Sequence, residues 1–203
     1  MKLYLATGNA HKAEELTAIL AASGLAVEVL TAKNLGGMPD VDEDQDNFAG
    51  NALKKAQALL PLIACDDAWS LADDSGLTVD FLDGAPGVYS ARYAGEGASD
   101  CDNLNKLMSV LEDVGQREAA FECHLSLLSK DGEYYAFSGK CSGRISEEKR
   151  GNDGFGYDPV FVPEGHDRSF AEMSGEEKAE LSHRGRALVE LVDWLKTRLG
   201  DPS

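Results

Sequence analysis

Positive charge is scarce in this chain. Its 19 lysines and arginines stand against 36 aspartates and glutamates, a formal net charge of −17. Such a surface repels nucleic acid and anionic lipid, so neither is expected as a partner. A small phosphate-bearing substrate is not excluded, but it must meet local lysines, backbone amides or a divalent cation. Long apolar runs are missing too. The longest stretch without a charged or polar side chain, Ala58–Cys65, has eight residues with Pro61 inside it. A membrane span needs about 20. The opening Met1–Ala6 meets Thr7-Gly8-Asn9 too soon to hold a signal-peptide apolar region, so a cytoplasmic location is expected. Cysteine is sparse, and Cys65, Cys101, Cys123 and Cys141 form no C-x-x-C pair; reduced thiols are the expectation. The four histidines show no H-x-x-x-H spacing, which argues against zinc. No G-x-x-x-x-G-K-[ST] loop occurs, so a P-loop ATPase is not indicated. Repeats and low-complexity segments are also absent.

What remains is a globular balance, 43% hydrophobic and 27% charged over 203 residues. The length suits one large domain or two tightly joined lobes, with core enough to need no disulfide. Lys2–Thr7 reads as a short buried strand, broken by Gly8-Asn9. A helix is predicted from about Ala10 to Ser23, and Ala26–Thr31 as a second strand. Strand, turn, helix, strand is the opening of an α/β domain. Residues 32–47 read as a polar loop. A second helix, about Phe48–Leu60, is capped by Asp46 or Asn47 and ended by Pro61. Two short extended pieces are expected around Ala72–Gly76, and a helix opens at Ser99 and closes at Gly115. Ala119–Leu127 alternates as a half-buried strand, Asp131-Gly132 signals a hairpin, and Glu133–Ile145 returns as a long strand. Pro159–Val162 reads as one more short strand. The C-terminus reads as one helix from about Gly175 to Leu199, opened by a Ser174/Glu177 capping box. The sum is mixed α/β with a long antiparallel hairpin.

Several segments hold residues suited to chemistry. Thr7-Gly8-Asn9-Ala10-His11-Lys12 joins the first strand to the first helix. A helix N-terminus offers N–H groups and partial positive charge to an anion, and Lys12 adds a full charge one turn in. A di- or triphosphate would fit, although an ordinary strand-to-helix turn has the same look. Asn51 and Lys55 lie four apart, hence on one helix face, and Lys55 can reach a phosphate or simply lie exposed. Asp73-Asp74-Ser75-Gly76 pairs adjacent carboxylates that point in different directions. Magnesium is held by one or two carboxylates with waters and substrate phosphates, and a carboxylate beside it can orient an attacking water. Asp66-Asp67 just upstream has the same composition; the flanking strand residues and Gly76 favour Asp73-Asp74. Asp40, Asp42, Glu43, Asp44 and Asp46 crowd one loop, which is a solvated acidic run or the source of a second metal ligand. Gly151–Pro159 sets Phe155 between glycines, where its ring can stack on a nucleobase or fill a core. Asp158, fixed before Pro159, can accept from a base or sugar. Lys178, Ser182, His183 and Arg184 add donors, or are surface charge on the last helix.

Six segments in order, TGNAHK (Thr7–Lys12), FAGNALKKA (Phe48–Ala56), ADDSGL (Ala72–Leu77), GAPGVYSARYAG (Gly84–Gly95), GNDGFGYDPVF (Gly151–Phe161) and SHRGRAL (Ser182–Leu188), span nearly the whole chain. Together they resemble the inosine triphosphate pyrophosphatase family, the non-standard purine NTP pyrophosphatases. That resemblance implies a single domain over residues 1–203 made of two lobes, an elongated twisted mixed sheet flanked by helices, and an active cleft between the lobes. It implies a homodimer and magnesium dependence. The implied reaction cleanses the nucleotide pool by hydrolysing ITP, dITP and XTP to monophosphate and pyrophosphate. By motif, Thr7, Gly8, Asn9, Ala10, His11, Lys12 and Lys55 hold the phosphates. Asp74 is the catalytic carboxylate and a metal ligand, with Ser75 beside the substrate. Phe155, Gly156, Tyr157, Asp158, Lys178, His183 and Arg184 surround the base.

Two departures stand out. The family's second metal ligand is a glutamate before the F-x-x-N-A motif; counting six positions back from Phe48 reaches Asp42, with Glu43 next. Either Asp42 ligates, or Glu43 takes its place. The stretch containing Cys65-Asp66-Asp67 is also a few residues longer than the family pattern. Competing readings are a Maf-like pyrimidine nucleotide pyrophosphatase, opposed by the Phe155 loop and the SHR segment, a nucleotide-binding regulator without turnover, opposed by Asp74 beside an acidic loop, and a small P-loop-type NTPase, which would release diphosphate and phosphate.

Overall fold

The computed structural model describes residues 1–200. Six strands form one mixed sheet in the order β2-β1-β3-β4-β5-β6. They are β1 (Lys2–Leu5), β2 (Glu28–Thr31), β3 (Ala68–Val79), β4 (Glu118–Ser129), β5 (Tyr134–Ile145) and β6 (Phe161–Pro163). The helices are α1 (Ala10–Ala22), α2 (Phe48–Leu59), α3 (Asp100–Val110), α4 (Gly175–Leu181) and α5 (His183–Leu199). β1 runs parallel to both β2 and β3, and β6 antiparallel to β5. No helix among the described residues is long and apolar enough to cross a membrane.

The chain divides into two compact units. The first holds Met1–Asp74, Cys123–Gly139 and the residues from Arg184 on; the second holds Ser75–Glu122 and Lys140–His183. In the first, strand alternation builds two cores. Leu3, Leu5, Trp69 and Leu71 pack with Leu16 and Leu20 of α1 and Leu188, Leu191 and Leu195 of α5. Tyr4, Ala6, Ala68 and Ala72 point the other way, to Ala56 and Leu59 of α2. Alanines on that side let α2 lie close to the strands. Asn9 caps α1 by accepting from Lys12 N–H, and Asn47 caps α2 by accepting from Gly50 N–H at 2.8 Å.

In the second unit, Leu77, Val79, Leu104, Leu107, Phe121, Ile145, Phe161 and Phe170 form the core. Ser90 Oγ accepts from Leu77 N–H at 2.9 Å and donates to Gly87 C=O. Tyr157 Oη donates to Ser90 C=O at 2.8 Å, which ties the Phe155 loop to the 87–92 turn.

Two elements differ from the sequence expectation. β3 is one twelve-residue strand running through Asp73-Asp74-Ser75-Gly76, not two short pieces around a turn. The C-terminal helix is two helices, broken where Ser182 turns extended (φ −69°, ψ 156°). Smaller shifts are the end of α3 at Val110 and the placement of β6 at 161–163.

Candidate active site

The strand period decides what Asp73 and Asp74 do. Adjacent residues of a strand point to opposite faces, so Asp73 lies on the α1/α5 side and Asp74 on the α2 side. Both are buried, and a buried carboxylate needs partners. Each finds its cation on the helix it faces.

On the α2 side, Lys55 Nζ donates to Asp74 Oδ1 at 2.7 Å and lies 3.4 Å from Glu43 Oε2. Burial pushes the Asp74 carboxyl above its ordinary value, with Lys55 pulling against it. Burial disfavours the Lys55 ammonium, but Asp74 and Glu43 outweigh it and the group is raised. Asp74 Oδ2 is buried and has no hydrogen-bond partner among the described residues. An anionic oxygen so placed suits a hard cation or a water held by one. Asp42 is exposed, while Glu43 is half-buried and turned to Lys55. Asn51, fully buried one helical turn before Lys55, holds the same loop. Its Oδ1 accepts from Gln45 N–H at 3.0 Å, fastening the acidic loop to α2. Of the two carboxylates expected from sequence, Glu43 is the one brought to Lys55 and Asp74. No group of three or more His, Cys, Asp or Glu among the described residues could hold a metal. A pair of carboxylates is nevertheless the set magnesium takes when phosphates complete its shell.

On the α1 side, Gly8, Asn9, Ala10 and His11 form an exposed helix start, and Thr7 Oγ1 accepts from Asn9 N–H at 3.1 Å. No acidic residue sits in the first turn to cancel its partial positive charge. Lys12 Nζ donates to Asp73 Oδ1 at 2.5 Å. Arg184 Nε donates to Asp73 Oδ2 at 3.0 Å, and Arg184 Nη1 to Glu15. Burial would raise the Asp73 carboxyl, but Arg184 and Lys12 hold it well below the ordinary range. Arg184, expected beside a base, is thus held by two carboxylates of the first unit. Neither Asp73 as a hub nor Glu15 stood out in the sequence; the only available signal was that adjacent acids in a strand must separate. Asp66 and Asp67 lie in an exposed turn, where Asp66 meets Lys130 at 3.4 Å.

In the second unit, the Phe155 loop is fixed around Asp158. Asp158 Oδ2 accepts from Phe155 N–H and from Lys178 Nζ, both at 2.8 Å. A Cβ on Gly154 would meet that same oxygen at 2.2 Å with φ at +78°, so only glycine fits. Gly156 N–H donates to Asp100 Oδ2 at 2.9 Å. The half-buried Phe155 ring has Lys178 Nζ 4.7 Å from its centroid. Tyr157 is buried, and burial pushes its hydroxyl far up, keeping it protonated. His183 is buried and stacks on Phe121, with centroids 4.7 Å apart and planes at 11°. Ser75 is half-buried and follows Asp74 on β3. Phe155, Asp158 and Lys178 therefore form one cluster: an aromatic face beside a cationic donor held by a carboxylate.

This arrangement matches known proteins over nearly all of its length. The sequence is 50% identical over 200 residues to a dITP/XTP pyrophosphatase of Opitutus terrae, covering 96% of this chain and 98% of that one. It is 47% identical over 196 residues to a dITP/XTP pyrophosphatase of Geobacter sulfurreducens, covering 96% of each. A solved HAM1 protein from Coxiella burnetii superposes with a TM-score of 0.86 at 35% identity, covering 97% of this chain and 99% of that one. Residues 3–194 match the Ham1 family, and the chain belongs to that family.

Proposed function

We propose that the protein hydrolyses non-standard purine nucleoside triphosphates, with ITP, dITP and XTP as substrates, to the monophosphate and pyrophosphate. The observation that carries this reading is Asp74: a buried carboxylate with one oxygen on Lys55 and the other without a hydrogen-bond partner among the described residues, with Glu43 on the same Lys55. The relatives named dITP/XTP pyrophosphatase support the substrate class. The residues take the following roles. Asp74 orients the attacking water, and Asp74 and Glu43 are the residues that would hold a magnesium ion. That ion supplies charge neutralisation on the phosphates. Lys55, Lys12 and the α1 start (Thr7, Gly8, Asn9, Ala10, His11) bind phosphate oxygens and stabilise the charge that develops on the leaving pyrophosphate. Ser75 lies beside the substrate. Phe155 stacks on the base, with Gly156 and Tyr157 shaping the loop, and Lys178 and His183 donate to the oxygen at the purine six position. Arg184 holds the Asp73 carboxylate together with Lys12. The enzyme acts as a cytoplasmic homodimer.

Selectivity follows from donor chemistry. ATP presents an amino group where ITP and XTP present an acceptor, so a buried donor is left unpaired, which costs up to about 10⁴–10⁵ in selectivity. The test is kcat/KM for ITP, XTP, GTP and ATP with magnesium, then with chelator. The reading expects ITP and XTP well ahead of ATP and activity abolished by chelation and restored by magnesium. Equal turnover of ATP and ITP would sink it.

A further inference from the structure

Cys123 sits on β4 in an otherwise apolar run, packed with Leu125, Leu127, Leu71 and Leu188, and is fully buried. By sequence it is one more core position. Its Sγ nevertheless lies 3.1 Å from Asp73 Oδ2, the oxygen that also accepts from Arg184 Nε. Asp73 Oδ1 holds Lys12 Nζ. Donors from α1, β4 and α5 thus meet on one carboxylate whose side chain has 0% exposure. Two of them are cations anchored elsewhere on long flexible side chains. The thiol is the short, rigid one, on a central strand with a single rotatable bond to place it. A thiol is a weak donor, but a hydrogen bond to a charged, desolvated acceptor is worth more than one between neutral groups.

We propose that Cys123 is a positioning residue for phosphate handling: its thiol fixes the orientation of the Asp73 carboxylate, and through it the Nζ of Lys12. The proposal rests on the reading of Lys12 as a phosphate ligand. It does not make Cys123 a nucleophile or a redox group; the thiol is fully buried and donates to Asp73. Burial and the Asp73 charge raise its pKa well above the ordinary thiol value, so it stays protonated and remains a donor.

A packing role and a donor role rank substitutions in opposite order. Valine keeps an apolar side chain, slightly larger than the thiol, and removes the donor, whereas serine keeps a donor and opens a small void. The experiment is steady-state kinetics of the full chain with XTP and magnesium for C123V, C123S and C123A, each in the native and the K12A background, with thermal melts to confirm folding. The proposal expects C123V and C123A to raise KM about three- to tenfold with kcat nearly unchanged, and C123S to stay within about twofold of the native KM. In the K12A background the C123V effect on KM should vanish, because the route runs through Lys12. Equal effects of C123S and C123V, a benign C123V and C123A, or an effect that persists beside K12A would overturn the role of Cys123 while leaving Lys12 on the phosphates. K12A without effect on KM would overturn the phosphate reading, and this proposal with it. C123A serves as the donor-free variant should C123V fail to fold.

Discussion

Asp74 and Asp73 are neighbours in sequence with separate tasks, because a strand turns consecutive side chains to opposite faces. Asp74→Asn removes the charge that, on the proposed reading, orients water, but keeps the shape and one acceptor for Lys55. Turnover should fall by roughly 10²–10⁴ with the fold retained, while Asp67→Asn, in an exposed turn, should change little. Steady-state rates with circular dichroism check both; a benign Asp74→Asn would remove Asp74 from the chemistry. The metal assignment separates in the same way. Glu43, 3.4 Å from Lys55, should be the residue whose loss matters. Glu43→Gln should raise the magnesium concentration needed for half-maximal rate, and Asp42→Asn should leave it in place. The reverse result in a magnesium titration would return the ligand to Asp42.

Elements show where sequence reasoning reached and where it stopped. The α2 cap, the β4 alternation and the hairpin follow from local chemistry and stand as expected. β3 was obscured because Asp-Asp-Ser-Gly has turn chemistry; it stays extended because Lys12, Arg184 and Lys55, all distant in sequence, compensate its carboxylates. The break at Ser182 was hidden by the apolar stripe of Leu188, Leu191 and Leu195 continuing beyond it. Counting back from Phe48 could not distinguish Asp42 from Glu43, because what separates them is a contact distant in sequence, Glu43 with Lys55. Two expectations belong at this scale. A Cβ on Gly151 would lie 2.1 Å from Ala171 C=O with φ at +78°, so Gly151→Ala should destabilise the protein by about 1–3 kcal/mol, read as a lower melting temperature. Glu177 caps α4 and meets Arg168, and that hydrogen bond brings its carboxyl down to about 2 from 4.5. A depressed carboxyl contributes stability above its unfolded value that is lost as pH falls through the folded one. The stability difference between the native protein and Glu177→Gln should therefore shrink as pH drops from 4.5 toward 2; a difference independent of pH there would contradict it.

For the whole molecule, the governing fact is a chain of net charge −17 that must accept a substrate carrying about four negative charges of its own. On the proposed reading, that long-range repulsion makes local positive charge, from Lys12, Lys55, the α1 start and a divalent cation, a condition of binding rather than an accessory. The central claim is that water attack separates the α and β phosphates. The measurement that tests it most directly is chromatographic identification of the first product formed from XTP in magnesium, with pyrophosphate assayed alongside. The account predicts xanthosine monophosphate and pyrophosphate in equal amounts, with no diphosphate at early times; xanthosine diphosphate and inorganic phosphate appearing first would contradict it.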